Sequence, residues 1–230
     1  DTTGWFARDA ETFARVSAVM LGEPCEPAIP TRLIIATDAF GFADEPVRDA
    51  LKPLVARLAQ QVDDVREDIM APQGLSVWGR AQRTLQPAEA WETFKDWINR
   101  DNPRVSFNVA RGLIAGSTIS AADLNWAALM RREARARLDH LLQPGTIICQ
   151  PTTPFPAPLK GLPLDELNTV RDQIMCLCAY GGLTGVATVT IPGATVDGAP
   201  VGLSIMGARG SDAALVGLAR VMSQQEEETK

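Results

Sequence analysis

The residues able to do chemistry are few. His140 is the only histidine. It must itself be the base if any Ser-His-Asp or Cys-His arrangement exists, and no two-histidine metal site can form. Its place in the last turn of a helical stretch fits an imidazole that complements the helix dipole. The four cysteines are Cys25, Cys149, Cys176 and Cys178. Their spacing is no disulfide framework, which points to a reducing, cytoplasmic setting. Cys176-x-Cys178 has no Cys or His partners nearby, so core packing is favoured over metal or redox work. Lys52, Lys95, Lys160 and Lys230 stand in polar contexts without the serines of a Ser-Lys pair. Gly202-Leu-Ser-Ile-Met-Gly207 lacks the second glycine of a nucleophile elbow, and Gly181-Gly-Leu-Thr-Gly185 lacks the lysine of a P-loop. The residues alone therefore show no catalytic constellation, no metal site and no cofactor motif.

The elements that must position these residues are clearer. Phe13, Val16, Val19 and Met20 recur at helical spacing over 8–21, with Gly22 as a stop. Pro24, Pro27 and Pro30 form a linker, and 32–37 is a buried strand. Asp44 and Pro46 open an amphipathic helix through Val62, and 63–69 is a second strand. Helices are expected over 85–99, 104–113 and 120–142. The last of these carries a basic face (Arg131, Arg132, Arg135, Arg137) solvated and partly paired with Glu133 and Asp139. Strand 146–150 runs into Pro151–Pro158, where four prolines in eight residues forbid regular structure. A helix over 167–179, a Gly181-Gly182 hinge, strands 187–191 and 201–206 joined by a turn over 193–199, and a helix from 211 to about 222 complete the chain. A polar, frayed tail over 224–230 follows.

This pattern predicts an α/β fold, a single mixed sheet flanked by helices on both faces. The 230 residues are 46% hydrophobic and 22% charged, as in ordinary globular proteins, with a net charge of −6. An acidic chain is a poor nucleic-acid binder, because phosphate contacts need a basic face. The stretch 173–196 carries no charge, but four glycines, Pro192 and β-branched alternation argue for a buried helix and strand rather than a membrane span.

Ordered motifs across nearly the whole chain resemble the amidase signature family. Asp1-Thr-Thr-Gly-Trp-Phe-Ala-Arg8-Asp9 is similar to its Asp-Thr-x-Gly-Pro-x-Ala-Arg segment. Ile147-Ile-Cys-Gln-Pro-Thr-Thr-Pro-Phe-Pro-Ala-Pro158 resembles its strand and Pro-Thr-x-Pro loop. Gly182-Leu-Thr-Gly-Val-Ala-Thr-Val-Thr-Ile-Pro192 and Asp197-Gly-Ala-Pro-Val-Gly-Leu-Ser-Ile-Met-Gly207 resemble two further segments. Gly182 stands where the family often has Asn, Val186-Ala187 replaces Leu-Pro, and Ser204 replaces Gln. Trp5-Phe6 look most like the branch of plant indole-3-acetamide hydrolase.

The resemblance implies amide hydrolysis by a serine nucleophile, a second serine in a cis peptide link and a lysine base, with no cofactor. In the family these precede the Asp-Thr-x-Gly segment. Residues 1–230 are therefore expected to be the C-terminal part of one amidase signature domain, without its catalytic part, and to be inactive alone. No catalytic residue is assigned. The expected substrate-binding residues are Thr152, Thr153, Pro154, Phe155, Cys178 and Gly182, for an apolar or aromatic primary amide. An apolar sheet edge, and with it homo-oligomers, is also expected. Two alternatives stand beside this reading: the glutaminase subunit of a tRNA-dependent amidotransferase, with Arg171 as a carboxylate partner, and a non-catalytic scaffold.

Overall fold

The computed structural model describes residues 3–228. Asp1 and Thr2 of the opening motif, and the last two residues of the tail, lie outside the described residues. Five strands form one mixed sheet in the order β2-β1-β3-β5-β4. β1 (Arg32–Ala36), β2 (Asp64–Asp68) and β3 (Thr146–Pro151) are mutually parallel. β5 (Ala199–Gly207) runs antiparallel to both β3 and β4 (Ala187–Val196).

Strand alternation divides two cores, since successive side chains point to opposite faces. Ile34, Ile148 and Met206 face α4 (Leu75–Asp101), α6 (Ala121–Leu141) and α7 (Leu164–Thr184). Leu33, Ile147, Cys149, Leu203 and Ile205 face α1 (Ala10–Leu21), α3 (Glu45–Ala59) and α8 (Asp212–Glu228). β3 is buried along its whole length, as a central strand covered on both faces must be.

Local chemistry sets the element ends. The Asp9 carboxylate accepts from Thr12 N at 2.6 Å and caps α1; that bond holds its pKa below the usual carboxylate value. Gly22, left-handed at φ 75°, ends the helix. Asp44 occupies the N-cap of α3 with Pro46 behind it, although its side chain makes no capping bond. A short α2 (Thr37–Phe42), absent from the sequence reading, carries Asp38, whose two oxygens accept from Met70 N and Ala71 N, each at 2.8 Å. That pair of charge-assisted bonds fixes the approach to α4.

Several expectations are corrected. The helix expected over 85–99 starts at Leu75 and continues through Pro87, which is accommodated inside it. The short helix after it is α5 (Phe107–Ser117). Gly181-Gly182 is no hinge: α7 runs unbroken to Thr184 and ends on left-handed Gly185. The β4–β5 turn is Asp197-Gly198, both at positive φ (50° and 79°), the twist a two-residue hairpin favours. Gly193 instead marks an irregularity in the ladder. α8 extends to Glu228, beyond the expected end near Met222. The basic face of α6 pairs with other elements and not with Glu133 or Asp139. Arg131 meets Glu89 at 2.6 Å, Arg137 meets Asp68 at 2.8 Å, and Arg135 donates to Leu183 O at 3.0 Å.

The sheet edges are not apolar. β2 exposes Arg66 and Glu67 beside Val65, and β4 exposes Thr188 and Thr190. Exposed apolar side chains are spread over several elements, among them Val19 and Met20 on α1, Val65 and Ile69 at β2, and Phe107, Val109 and Ile114 on α5.

Candidate functional site

The carboxyl end of β3 carries a row of hydroxyls. Gln150 pairs in register with Ser204, and Ser204 with Thr190. Directly opposed residues share a face, so all three point toward α7. Ser204 Oγ lies 2.9 Å from Thr152 Oγ1 and 3.1 Å from Thr190 Oγ1. Gly202 admits this arrangement, because a Cβ there would stand 2.8 Å from the Thr190 methyl and 3.2 Å from Thr152 Oγ1.

α7 lies over the row. Gln150 Nε2 donates to Leu177 O at 2.9 Å, while its buried Oε1 has no partner. Tyr180 is buried, and burial pushes its hydroxyl pKa up to about 12 against hydrogen bonding with Thr188 and Ser204, which works the other way. Arg135 and Arg209 donate to the last carbonyls of α7, Leu183 O and Thr184 O, and hold its end in place.

Two residues apart on a helix, side chains point nearly opposite ways. Cys176 is therefore in the core while Cys178 is exposed, which corrects the expectation that both serve packing. The Cys178 thiol lies 3.7 Å from Thr152 O, and the protein around it still raises its pKa by desolvation. It stays a thiol at neutral pH and is a poor nucleophile. Cys149, wholly buried, is pushed up to about 12 by the same cause.

A cavity of about 420 Å³ opens between α4 and α7, lined by Gln82, Gln86, Phe94, Met175, Cys178 and Gly182 among others. Gly182 is where the helices approach, since a Cβ there would meet the Gln82 amide at 2.2 Å. Glu89 also lines the cavity but is neutralised by Arg131.

Of the expected residues, Thr152, Cys178 and Gly182 come together at this cavity and the hydroxyl row. Thr153, Pro154 and Phe155 do not line it. Thr153 Oγ1 donates to Phe155 O at 2.8 Å, and Pro154 O accepts from Asp44 N at 2.8 Å, tying the loop to the start of α3. Gln82, Gln86, Tyr180 and Thr190 are additions. The i, i+4 spacing of Gln82 and Gln86 was the one signal for the first pair, and it counts only once α4 is known to begin at Leu75. His140 is exposed at the end of α6. Among the described residues no serine is hydrogen-bonded to a lysine or histidine, so this arrangement can bind and orient but holds no nucleophile–base pair.

A mixed sheet covered by helices on both faces, with such a row at a strand end, defines an α/β protein whose cleft lies where sheets of this kind receive ligands. The chain belongs to the amidase family, whose family model matches residues 57–216. It is 27% identical over 255 residues to Amidase 1 of Oryza sativa subsp. japonica, in a match covering 97% of this chain and 58% of that protein. Outer envelope protein 64, chloroplastic, of Arabidopsis thaliana is 22% identical over 251 residues, covering 96% of this chain and 42% of that one. Among solved structures, an amidase superposes with a TM-score of 0.77 at 23% identity, over 95% of this chain and 51% of that one. The chain thus spans about half the length of these relatives. No helix among the described residues is long and apolar enough to cross a membrane.

Proposed function

We propose that residues 1–230 supply the substrate-binding wall of an amide hydrolase whose nucleophile and base lie outside them. One observation carries this reading. The cleft between α4 and α7 joins a hydroxyl row to an amide- and thiol-lined cavity, in an amidase-family sheet, without any activated nucleophile of its own. In this reading Gln82, Gln86 and the hydroxyls orient the substrate amide. Phe94 and Met175 receive its substituent, which favours an apolar or aromatic primary amide. Among the described residues no cation lines the cavity, and Arg171 sits exposed on α7 away from its lining, which supports a neutral substrate over a glutamine carboxylate.

The test is turnover by the full-length polypeptide. An aryl-acetamide is expected to exceed glutamine in kcat/KM by about tenfold or more, the scale on which apolar pockets discriminate. Faster turnover of glutamine would overturn the substrate assignment. Ammonia release by residues 1–230 alone, lost on substituting one of their own serines, would overturn the placement of the nucleophile. A non-catalytic role stands second, since a relative whose name states no amidase activity, outer envelope protein 64, matches 96% of the chain. It requires that the full-length polypeptide hydrolyse no amide.

A further inference from the structure

Gln150 is the one carboxamide in β3, a strand buried along its whole length. Two residues before it, on the same face, Ile148 is wholly buried in the core shared with α4, α6 and α7. An apolar side chain would continue that face. Gln150 is instead only 1% exposed, with Nε2 donating to Leu177 O at 2.9 Å and Oε1 buried without a partner. The amide cannot be turned to relieve Oε1, because the Leu177 carbonyl accepts only from a donor. Leaving a buried acceptor unpaired costs at least what the single bond from Nε2 returns. Gln150 is therefore a poor choice for stability, and its one bond has another use.

That bond crosses from the sheet to α7, which otherwise rests mainly on α4 and α6. Leu177 O lies inside the helical ladder and needs no second donor for its own sake. A second bond runs the other way one residue further on, where the Cys178 thiol donates to Thr152 O at 3.7 Å. Two opposed bonds thus fix one turn of α7 on the end of one strand. Both arrive at the hydroxyl row: Gln150 pairs in register with Ser204, and Thr152 Oγ1 lies 2.9 Å from Ser204 Oγ. Tyr180, on the same turn of α7, reaches Ser204 from above.

We propose that Gln150 is a positioning residue of the candidate site: through Leu177 O it sets where α7 stands over the sheet, and so where Cys178 and Tyr180 stand against Thr152 and Ser204. Its effect on substrate rests on the amidase reading above. Its effect on Cys178 rests on the fold alone.

Gln150→Met keeps the length and approximate volume of the side chain and removes both ends of the amide. It is made in the full-length polypeptide. Alkylation by iodoacetamide is followed from pH 7 to 10 and assigned to individual cysteines by mass spectrometry. In the variant α7 stands off the sheet, Thr152 O no longer meets the thiol, and solvent reaches it. The Cys178 rate at pH 8 is expected to rise about threefold or more as the thiol moves toward its ordinary 9.0. Cys149 and Cys176 are expected to stay unreactive, which separates a moved helix from a loosened fold. KM for an aryl-acetamide is expected to rise about tenfold with kcat within about twofold, the mark of lost binding contacts. A fall in kcat alone is what a partly unfolded preparation gives, and would overturn the proposal. Gln150→Asn keeps the amide but falls short of Leu177; it is expected to repeat both shifts, and it decides the matter if Gln150→Met does not fold. An unchanged Cys178 profile would overturn the proposal whatever KM does, and leave the hydrolase reading standing. A shifted profile with unchanged KM would overturn it too, because α7 would then not border the substrate. A shifted profile in a polypeptide that turns over no amide would support the placement of α7 by Gln150 and refute the hydrolase reading. If Cys178 reacts in neither protein, KM alone decides, and a polypeptide showing neither alkylation nor turnover refutes both.

Discussion

Tyr180 is the sole tyrosine of the chain, so its ionisation can be followed by tyrosinate absorbance without interference from another phenol. Its pKa stands at about 12 against an ordinary 10.0, and burial in the core between α7, which carries it, and the sheet is the main cause. The folded state therefore keeps a proton that the unfolded state releases from about pH 10 upward. An unfolded state that binds fewer protons gains as pH rises, so stability falls between pH 10 and 12. At about 1.4 kcal/mol per unit, the loss attributable to Tyr180 is about 3 kcal/mol. Cys149 is shifted in the same sense and adds its own slope, so the measurement is a difference. Urea unfolding of the wild type and of Tyr180→Phe is compared from pH 8 to 11. Near neutral pH the variant is expected to be less stable by about 1 kcal/mol, the worth of a buried hydroxyl's hydrogen bonding. That deficit should shrink and reverse as pH passes 10. Tyrosinate forming with a midpoint near 10, while far-ultraviolet circular dichroism stays native, would refute the reasoning. The hydroxyl would then be solvated, and α7 would not cover the Ser204 row as described.

Two further outcomes test neighbouring contacts. Gly116→Ala places a methyl against the backbone of Pro87 at 2.0 Å, where no side chain can yield, and is expected to cost about 1–3 kcal/mol. Calorimetry should show Tm lower by roughly 2–10 °C, whereas Gly112→Ala in the same helix should raise it. Of the four free thiols, Cys178 alone is exposed, so alkylation of the native protein read by mass spectrometry should modify one cysteine and none in Cys178→Ser. Its rate should still be climbing above pH 9, because desolvation holds the thiol's pKa above the ordinary 9.0.

How far the sequence carried depended on whether a feature is local. The strands were legible because β-branched runs such as Thr188-Val189-Thr190-Ile191 alternate with the pleat. The helix ends at Gly22 and Ser120 were legible because those residues satisfy them through their own neighbours. Features that depend on another element were not legible. The first turns of α4 form a stretch in which Gly79, Arg80, Gln82 and Arg83 interrupt the apolar positions Leu75, Trp78, Ala81 and Leu85. It is helical because Trp78 and Ala81 bury against the α6 and α7 layer, and because Gly79 lets Cys176 approach within 3.0 Å of where a Cβ would be. Gly182 shows the same logic inside the site. Taken alone it looks like a place for the chain to bend, since glycine weakens a helix by about 1 kcal/mol relative to alanine. In the fold it is the position that lets Gln82 reach α7 and form the wall of the cavity beside Cys178. The arginines of α6 could be read equally as solvated or paired, because their partners Glu89, Asp68 and Leu183 O lie 42, 69 and 48 residues away along the chain. The cavity beside Cys178 is thus written in contacts between α4 and α7, and only their separate amphipathic fragments appear in the linear order of residues.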